Sequence, residues 1–316
     1  MKIAVLDDYQ GVALQLADWS PVTARASVVV FNDHEASADA LVERLAPFDV
    51  ICVMRERTPL PRAIIERLPN LKLIASTGKR NASIDAGAAA ERGIAVVHTS
   101  YTSTPTTELT WALILASVRH LVAEHASVRD GGWQRSIGDD LAGKTLGILG
   151  LGSIGSQVAK IGLAFGMEVI AWSQNLTAEV ATAAGAKLVT KHDLLSQADI
   201  VSIHLVLSTR TRGLIGVPEL ALMKPTARLI NTSRGPLVEE AALLGALASR
   251  QIAGAAVDVF DIEPLPAGHP YRHMDNLLAT PHIGYVSRGL YERFYGDTVA
   301  NITSWLDARS AGHGAG

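Results

Sequence analysis

Three charged or titratable side chains follow predicted strands in the C-terminal half of the chain. Arg234 comes just after the strand-like run ARLINT, Glu263 a few residues after GAAVDV, and His282 just after NLLAT. In a doubly wound sheet the parallel strands end at one edge, where open α/β sheets bind ligands. We therefore expect these side chains to lie together, although each taken singly also fits an ordinary surface or loop residue.

The three residue types suit one kind of chemistry. A His can give a proton to a carbonyl oxygen and take it back in the reverse direction. A carboxylate bonded to the imidazole orients the ring and favours its charged form. An Arg can hold a carboxylate through its forked donors. Together they favour hydride transfer to a 2-keto acid.

A glycine pattern precedes these residues. The stretch TLGILGLGSIGSQVAKIGLAFG spaces Gly150, Gly152 and Gly155 as G-x-G-x-x-G between a predicted strand and a predicted helix. Gly150 permits the tight turn, Gly152 lets the backbone approach a pyrophosphate, and Gly155 permits close helix–strand packing. The helix N-terminus adds N–H groups and a positive dipole end. Glycines kept for steric reasons alone are the alternative, but the surrounding strand–loop–helix–strand order favours a dinucleotide site.

Short apolar runs alternate with helical patterns through most of the chain. The first series of predicted strands is KIAVL, SVVVF, DVICVM, LKLIAST and IAVVHT, and the second is TLGILG, EVIAW, IVSIHL, ARLINT, GAAVDV and NLLAT. Near-continuous apolar strands separated by helices indicate parallel sheets covered on both faces. The sequence therefore predicts an α/β fold with two doubly wound parallel-sheet domains, the second being a six-stranded Rossmann domain.

Two further helices are predicted outside these series. PTTELTWALILASVRHLVAEHASVRD indicates one long helix, with Thr104 as N-cap and Pro105 at its first position. GLYERFYGDTVANITSWLDA indicates another, and the tail RSAGHGAG is expected to be disordered.

Composition excludes several classes of partner. The chain has 316 residues, 48% of them hydrophobic, with 19% charged residues and a net charge of -3, so nothing favours nucleic acid or an anionic membrane as partner. Cys52 is the only cysteine, which excludes an intrachain disulfide. No apolar run is long enough to span a membrane or act as a signal peptide, so a cytoplasmic protein is expected. No metal site is expected either, because the loop HPYRH breaks the spacing that a His pair would need.

The second half of the chain resembles the D-isomer-specific 2-hydroxyacid dehydrogenase family, in its glyoxylate and hydroxypyruvate reductase branch. The matching stretches are LAGKTLGILGLGSIG, AFGMEVIAWS, ADIVSIHLVLSTRTRGLIG, INTSRGPLVEEAAL, GAAVDVFDIEPLP and TPHIGY. They cover residues 141 to 285 nearly continuously and in the family's order. The resemblance implies an NAD(P)-dependent oxidoreductase in which Arg234, Glu263 and His282 form the catalytic set.

The resemblance also implies an organisation of the chain. Residues 1–99 with 286–316 would form a smaller, flavodoxin-like substrate domain, and residues 100–285 the NAD(P)-binding domain. In the family, substrate lies in the cleft between the two domains. The helix after the first domain commonly packs in a homodimer, so residues 105 to 125 lead us to expect a dimer.

Cofactor contacts follow from the same resemblance. Besides the three glycines they are expected at Ser153, Ile154, Ser173, Val206, Thr232, Ser233 and Asp258. Val206 stands where the family commonly has Pro. Ser173, in VIAWSQN, stands where NAD-specific members have an Asp that accepts hydrogen bonds from ribose hydroxyls. Without that acid, and with neutral Gln174 and Asn175 after it, the choice between NAD and NADP should be relaxed.

Substrate contacts are expected in the first half of the chain. The family's small-residue loop is here GKRNASID, so Gly78, Lys79 and Arg80 are candidates, and the two cations suggest a larger or more anionic substrate. Side chains pointing to solvent are an equal alternative. Arg55 and Thr58, after the third predicted strand, are further candidates.

Two other functions stay open at this point. Relatives that act on formate or phosphite suggest a dehydrogenase of another small anion. Relatives that act as corepressors suggest a non-catalytic dinucleotide sensor, which the intact Arg234, Glu263 and His282 argue against.

Overall fold

A computed structural model describes residues 1–313. The chain divides into two compact units. Unit 1 contains Met1–Thr102 and the chain from Ser287 onward, and unit 2 contains Ser103–Val286. The fold class predicted from the sequence, two parallel-sheet α/β domains, is confirmed.

Unit 1 is built on a sheet of five parallel strands in the order β2-β1-β3-β4-β5, the flavodoxin-like order. Its strands are β1 Lys2–Val5, β2 Ser27–Val30, β3 Val50–Val53, β4 Leu73–Ser76 and β5 Ala95–His98. Its helices are α1 Ser20–Thr23, α2 Ala38–Leu45, α3 Arg62–Ile65, α4 Ala86–Glu91 and α12 Arg288–His313. The central strands β3 and β4 are buried at every position, because helices cover both of their faces.

Unit 2 is built on seven parallel strands in the order β12-β11-β10-β9-β6-β7-β8. Its strands are β6 Thr145–Leu149, β7 Glu168–Trp172, β8 Lys187–Leu188, β9 Ile200–Ile203, β10 Arg228–Asn231, β11 Gly254–Val257 and β12 Leu277–Ala279. Its helices are α5 Thr104–Val118, α6 Leu121–Arg129, α7 Ser153–Ala164, α8 Ala178–Ala183, α9 Lys191–Gln197, α10 Val217–Leu222 and α11 Glu240–Ala248.

Side chains that point to opposite faces of the unit 2 sheet form two separate hydrophobic cores. Leu146 and Ile148 of β6 join the core that includes Trp111 and Ile114 of α5. Leu149, at the end of the same strand, joins the core on the opposite face. Successive side chains of a strand point to opposite faces, so one apolar strand supplies both cores.

The structure corrects four details of the sequence-based prediction. A seventh strand, the two-residue β8, lies at the edge of the sheet and is too short to leave an apolar pattern. The helix predicted as one is divided into α5 and α6, because His120 between them adopts a left-handed conformation with φ 51°. The N-cap of α5 is Ser103, where Thr104 was predicted. The predicted disordered tail is wrong for its first part, since α12 continues to His313, and residues 314–316 lie outside the described residues.

Candidate active site

Three loops of unit 2 leave one edge of its sheet side by side. Strands β12, β11 and β10 are parallel neighbours, and they end at Ala279, Val257 and Asn231. His282, Glu263 and Arg234 follow these ends within a few residues. The shared strand direction therefore places all three predicted catalytic residues at the carboxyl edge, where open α/β sheets bind ligands.

His282 and Glu263 are in direct contact. Nδ1 of His282 lies 2.5 Å from Oε2 of Glu263, and the other carboxylate oxygen accepts a 2.9 Å hydrogen bond from the Phe260 amide. The Tyr285 ring packs edge-on against the imidazole, with centroids 5.3 Å apart. The carboxylate fixes the ring through Nδ1, which makes Nε2 the nitrogen that can exchange a proton with a ligand.

The same contacts keep Glu263 ionised. Burial by itself would raise the pKa of its carboxyl. The hydrogen bond and charge of His282, the Phe260 amide and the charge of Arg234 outweigh burial, so the pKa of Glu263 lies below its ordinary value. An ionised carboxylate is the partner that an imidazole needs when it acts as a general acid.

Arg234 is positioned by a neighbour that the sequence analysis did not single out. The Asn231 amide donates to the Arg234 carbonyl at 2.9 Å, and its oxygen accepts the Ser233 amide at 3.1 Å. The Arg234 guanidinium itself donates to the Ser233 carbonyl at 2.7 Å. Asn231 is buried at the last position of β10, a place where an amide side chain commonly satisfies the turn that follows.

The sequence predicts a cofactor contact at Asp258, and the structure shows the bonds that its carboxylate forms within unit 2. Its carboxylate is fully buried, and both oxygens bind the loop that carries His282: Oδ1 accepts Thr280 Oγ1 at 2.6 Å and the Ile283 amide at 2.8 Å, and Oδ2 accepts the Gly284 amide at 2.7 Å. The structure therefore shows Asp258 holding this loop. Thr280, which completes the set, was missed because its hydroxyl gives no pattern in the sequence.

The glycine loop between β6 and α7 has the geometry of a phosphate cradle. Gly150 has φ 98°, and a Cβ on Gly155 would overlap the Gly150 carbonyl oxygen. A Cβ on Gly152, by contrast, would meet no atom within 4 Å. Gly152 is also the N-cap of α7, where the amides and the dipole favour an anion. These residues fit the pyrophosphate of a dinucleotide.

The remaining residues predicted for the cofactor differ in exposure. Ser153 begins α7, and its hydroxyl lies 3.0 Å from the hydroxyl of Ser103; Ile154 follows it, half-buried. Val206 is 84% exposed at the end of β9, and Ser173 is half-buried after β7.

Two hydroxyls in this predicted set are already used inside unit 2. Thr232 is buried, with its hydroxyl 2.9 Å from that of Thr110, and the Ser233 hydroxyl donates to the Ile203 carbonyl at 2.9 Å. Neither side chain points its donor outward, so a contact with a ligand at these positions would come from the backbone.

The predicted substrate residues lie in unit 1, after β3 and β4. Arg55 has φ 53°, and its guanidinium lies over the Tyr101 ring at 5.3 Å. Gly78 has φ 83°, and a Cβ there would overlap the Arg55 guanidinium, so the glycine makes room for it. Lys79 and Arg80 follow with exposed side chains.

Thr58 does not support its predicted role. It is 2% exposed, and its hydroxyl donates to Oδ2 of Asp7 at 2.7 Å. Because the only side-chain donor of Thr58 is spent on a buried carboxylate, a substrate contact there is not supported by the structure.

The part of the chain that the structure describes contains neither a candidate metal site nor a candidate membrane-spanning helix. Among residues 1–313 no group of three or more His, Cys, Asp or Glu side chains could hold a metal ion. Within the same part of the chain, every helix is too short or too polar to cross a membrane.

Comparison with known proteins identifies the family. The family model for the NAD binding domain of D-isomer specific 2-hydroxyacid dehydrogenases matches residues 111–284. The chain belongs to the D-isomer specific 2-hydroxyacid dehydrogenase family. Members are nicotinamide-dependent oxidoreductases that transfer a hydride between the cofactor and a 2-keto or 2-hydroxy acid, and the chain is one of them.

Relatives within the 2-hydroxyacid dehydrogenase family match over most of the chain. Glyoxylate reductase of Aeropyrum pernix is 43% identical over 78% of this chain and 76% of its own length. Hydroxypyruvate reductase of Thermotoga maritima is 36% identical over 84% of this chain and 89% of its own. The crystal structure of a Vibrio cholerae phosphoglycerate oxidoreductase, 37% identical, matches with a TM-score of 0.93 over 98% of this chain and 99% of that one. The chain spans about half the length of the curated D-3-phosphoglycerate dehydrogenases that it matches.

Proposed function

We propose that the chain reduces a small 2-keto acid, of the glyoxylate or hydroxypyruvate type, to the D-2-hydroxy acid. The observation that carries this proposal is the 2.5 Å contact between His282 and an ionised Glu263, at the sheet edge that also holds the glycine loop. The relatives named glyoxylate reductase and hydroxypyruvate reductase support the same substrate class.

Each of the three residues has one task in the reaction. The reduced nicotinamide, when bound, supplies the hydride that the carbonyl carbon receives. Negative charge then develops on the carbonyl oxygen, and His282 gives that oxygen a proton from Nε2. Glu263 keeps the ring oriented through Nδ1. Arg234 holds the substrate carboxylate, since its forked donors match that group.

The cofactor contacts proposed for unit 2 are the glycine loop, Ser153, Ile154, Ser173 and Val206. Among them, Ser173 is the residue on which the choice between NAD and NADP depends. A Ser offers one weak hydrogen-bonding group to the adenosine ribose and no charge to repel a 2′-phosphate. We therefore expect NADP to be tolerated. A kcat/KM for NADH more than about a hundredfold above that for NADPH, roughly 2.7 kcal/mol of discrimination, would contradict this.

A panel of 2-keto acids with NADH and NADPH, followed by absorbance at 340 nm, tests the reaction. His282→Ala should lower kcat by at least about a hundredfold, the usual contribution of a general acid, while the cofactor dissociation constant stays nearly unchanged. His192→Ala, at an exposed imidazole on α9, is the control and should leave kcat unchanged. Wild-type activity in His282→Ala would refute the mechanism. Cofactor binding without turnover of any acid would favour a dinucleotide sensor.

A second substrate class is favoured by the loop after β4. Lys79 and Arg80 expose two positive charges next to Gly78, and Arg55 lies beside them. These cations suit a substrate with a second anionic group, such as a phosphorylated 2-hydroxy acid, or another small anion. Replacing Arg80 by Ala should then raise KM for doubly anionic acids and leave KM for glyoxylate unchanged. An unchanged kcat/KM on doubly anionic acids would remove Arg80 from the site.

We further propose that the chain forms a homodimer through the helical segment of residues 105–125 and the exposed apolar residues that continue from it to residue 137. This segment of unit 2 exposes a run of large apolar side chains, which would be unusual for a surface that stays in water. Its members are Leu121, Val122, Val128, Trp133 and Ile137, the last 96% exposed.

A further inference from the structure

The backbone at His282 is held in an unfavourable conformation. Its φ of 52° lies in the left-handed region, which is costly for a residue with a Cβ. Such a conformation persists only where the surroundings impose it, and it recurs at functional sites. The contacts that impose it here are therefore part of what aims the imidazole at Glu263.

The contacts come from the buried carboxylate of Asp258. It accepts the amides of Ile283 and Gly284, the two residues after His282, and the hydroxyl of Thr280, two residues before it. The Gly284 carbonyl is held in turn by the Thr106 hydroxyl at 3.1 Å. Both sides of the left-handed residue are thus tied to one carboxylate.

One segment after β11 therefore controls His282 in two ways. Glu263 holds its ring, and Asp258, at the start of the same segment, holds its backbone. A displacement of the loop by about 1 Å would lengthen the 2.5 Å contact between the imidazole and Glu263 beyond a normal hydrogen bond, and catalysis is sensitive to displacements on that scale.

We propose that Thr280 and Asp258 are positioning residues for His282, the Thr280 hydroxyl completing a carboxylate clamp that fixes the loop of residues 280–284. This inference rests on the proposed function, because it assigns the clamp to the acid–base step. It does not depend on a contact between Asp258 and the cofactor, because the bonds of the buried carboxylate within unit 2 carry it.

The clamp favours an ionised carboxylate, because all three contacts are donors and protonation would add a fourth donor on an oxygen that accepts them. Burial, the largest influence, holds the pKa of Asp258 above its ordinary value, although Thr280, the two amides and the charge of His282 lower it. These are the groups that face the carboxylate. Removing the Thr280 hydroxyl takes away a donor to the ionised form, so the pKa of Asp258 should rise further.

The test compares Thr280→Val, Thr280→Ser and a matched control in the full chain. In Thr280→Val we expect kcat to fall roughly tenfold or more. The NADH dissociation constant should stay within about twofold, and the acid side of the kcat profile should move to higher pH. Thr280→Ser should restore the wild-type values. Thr190→Val is the control, because the Thr190 hydroxyl also donates to a carboxylate, that of Asp193 at 2.7 Å, at the surface of α9.

Three results would overturn the proposal. One is a Thr280→Val enzyme with wild-type kcat and an unmoved acid limb. Another is a loss of NADH affinity that matches the loss of kcat. The third result is an equal kcat in Thr280→Ala and Thr280→Ser. This comparison replaces the first one if Thr280→Val does not fold.

Failure of the proposed function itself would look different. A wild-type chain that reduces none of the acids would refute that function. The clamp would still be tested by hydrogen exchange, since the amides of Ile283 and Gly284 should exchange faster in Thr280→Ala than in Thr280→Ser. Equal exchange in the two variants would refute the clamp.

Discussion

Position 173, in the turn after β7, is where we propose that the chain contacts the adenosine ribose of the dinucleotide. Ser173 follows Trp172 in the turn after the strand, half-buried, and its carbonyl accepts the Leu176 amide at 3.2 Å. The Ser173 carbonyl is thus bonded within the turn, and the hydroxyl is the group that we propose for recognition of the ribose. A neutral hydroxyl neither binds two ribose hydroxyls as an Asp does nor repels a phosphate.

Restoring an acid at position 173 should therefore restore discrimination. In Ser173→Asp we expect the ratio of kcat/KM for NADH to that for NADPH to rise roughly tenfold to a hundredfold, or about 1.4 to 2.7 kcal/mol. Steady-state kinetics with both cofactors at one 2-keto acid concentration measures the ratio. Ser173→Asn, which has similar size and no charge, is the control. An unchanged ratio in both variants would show that position 173 lies outside the ribose site.

At the scale of elements, the glycines at the start of α7 do two separate jobs. Gly155 lets the helix pack against the loop, because a Cβ there would overlap the Gly150 carbonyl. Gly152 has ordinary dihedrals, φ -84° and ψ -157°, and an open surrounding. The fold therefore requires Gly155 to lack a side chain, whereas we propose that Gly152 lacks one to leave room for a ligand.

Alanine at each position should separate these jobs. Gly155→Ala should destabilise the protein by about 1–3 kcal/mol, the usual cost of overpacking, and shift the denaturant midpoint. Gly152→Ala should keep the wild-type midpoint but weaken NADH binding about tenfold or more, because the methyl group occupies the space that the pyrophosphate needs. Fluorescence titration and urea unfolding measure the two effects. Equal NADH affinity in Gly152→Ala and wild type would place the phosphates elsewhere.

At the scale of the whole molecule, each unit has its own polar network behind its sheet edge. In unit 1 the buried Asp7 accepts Thr58 and lies 3.1 Å from Nδ1 of His34. This hydrogen bond is the main cause that holds the pKa of His34 above its ordinary value of 6.5, and it outweighs burial. The charged imidazole is thus stabilised by the native fold.

The stability of the protein should accordingly depend on pH through His34. A raised pKa gives stability that is fully present below pH 6.5 and is lost as pH rises through the folded value. We expect the free energy of unfolding to fall as pH increases above 6.5, and His34→Gln to flatten that fall. Urea unfolding at several pH values measures it, with His192→Gln at an exposed imidazole as the control. A slope in His34→Gln equal to that of the wild type would exclude His34 as the cause.

The proposed assembly is also tested at this scale. Light scattering should give a mass of about twice 33.5 kDa for the wild type. Ile137→Lys should shift the mass toward that of one chain, because a charge on a side chain 96% exposed in the isolated chain would be buried on association. Val217→Lys, at another exposed apolar residue of unit 2, should leave the mass unchanged. A wild type that runs at 33.5 kDa would refute the dimer.

The sequence by itself determined the class of fold and the family, and it predicted the members of the catalytic set. These features rest on local patterns: apolar runs that must be buried on both faces, glycines at fixed spacing, and reactive residues that follow strand ends. Arg234, Glu263 and His282 could be grouped because parallel strands all end at one edge, so position along the chain implies position in space.

Only the tertiary structure decided how that set is supported. Thr280, Asn231 and the inward direction of Asp258 depend on which donors meet across loops distant in sequence, and hydroxyl and amide side chains form such bonds without any repeating pattern. The bond of Thr58 could not be predicted for the same reason, because its partner Asp7 lies 51 residues away. The short strand β8 and the break at His120 likewise arise from packing and one backbone dihedral, neither of which hydrophobic periodicity reports.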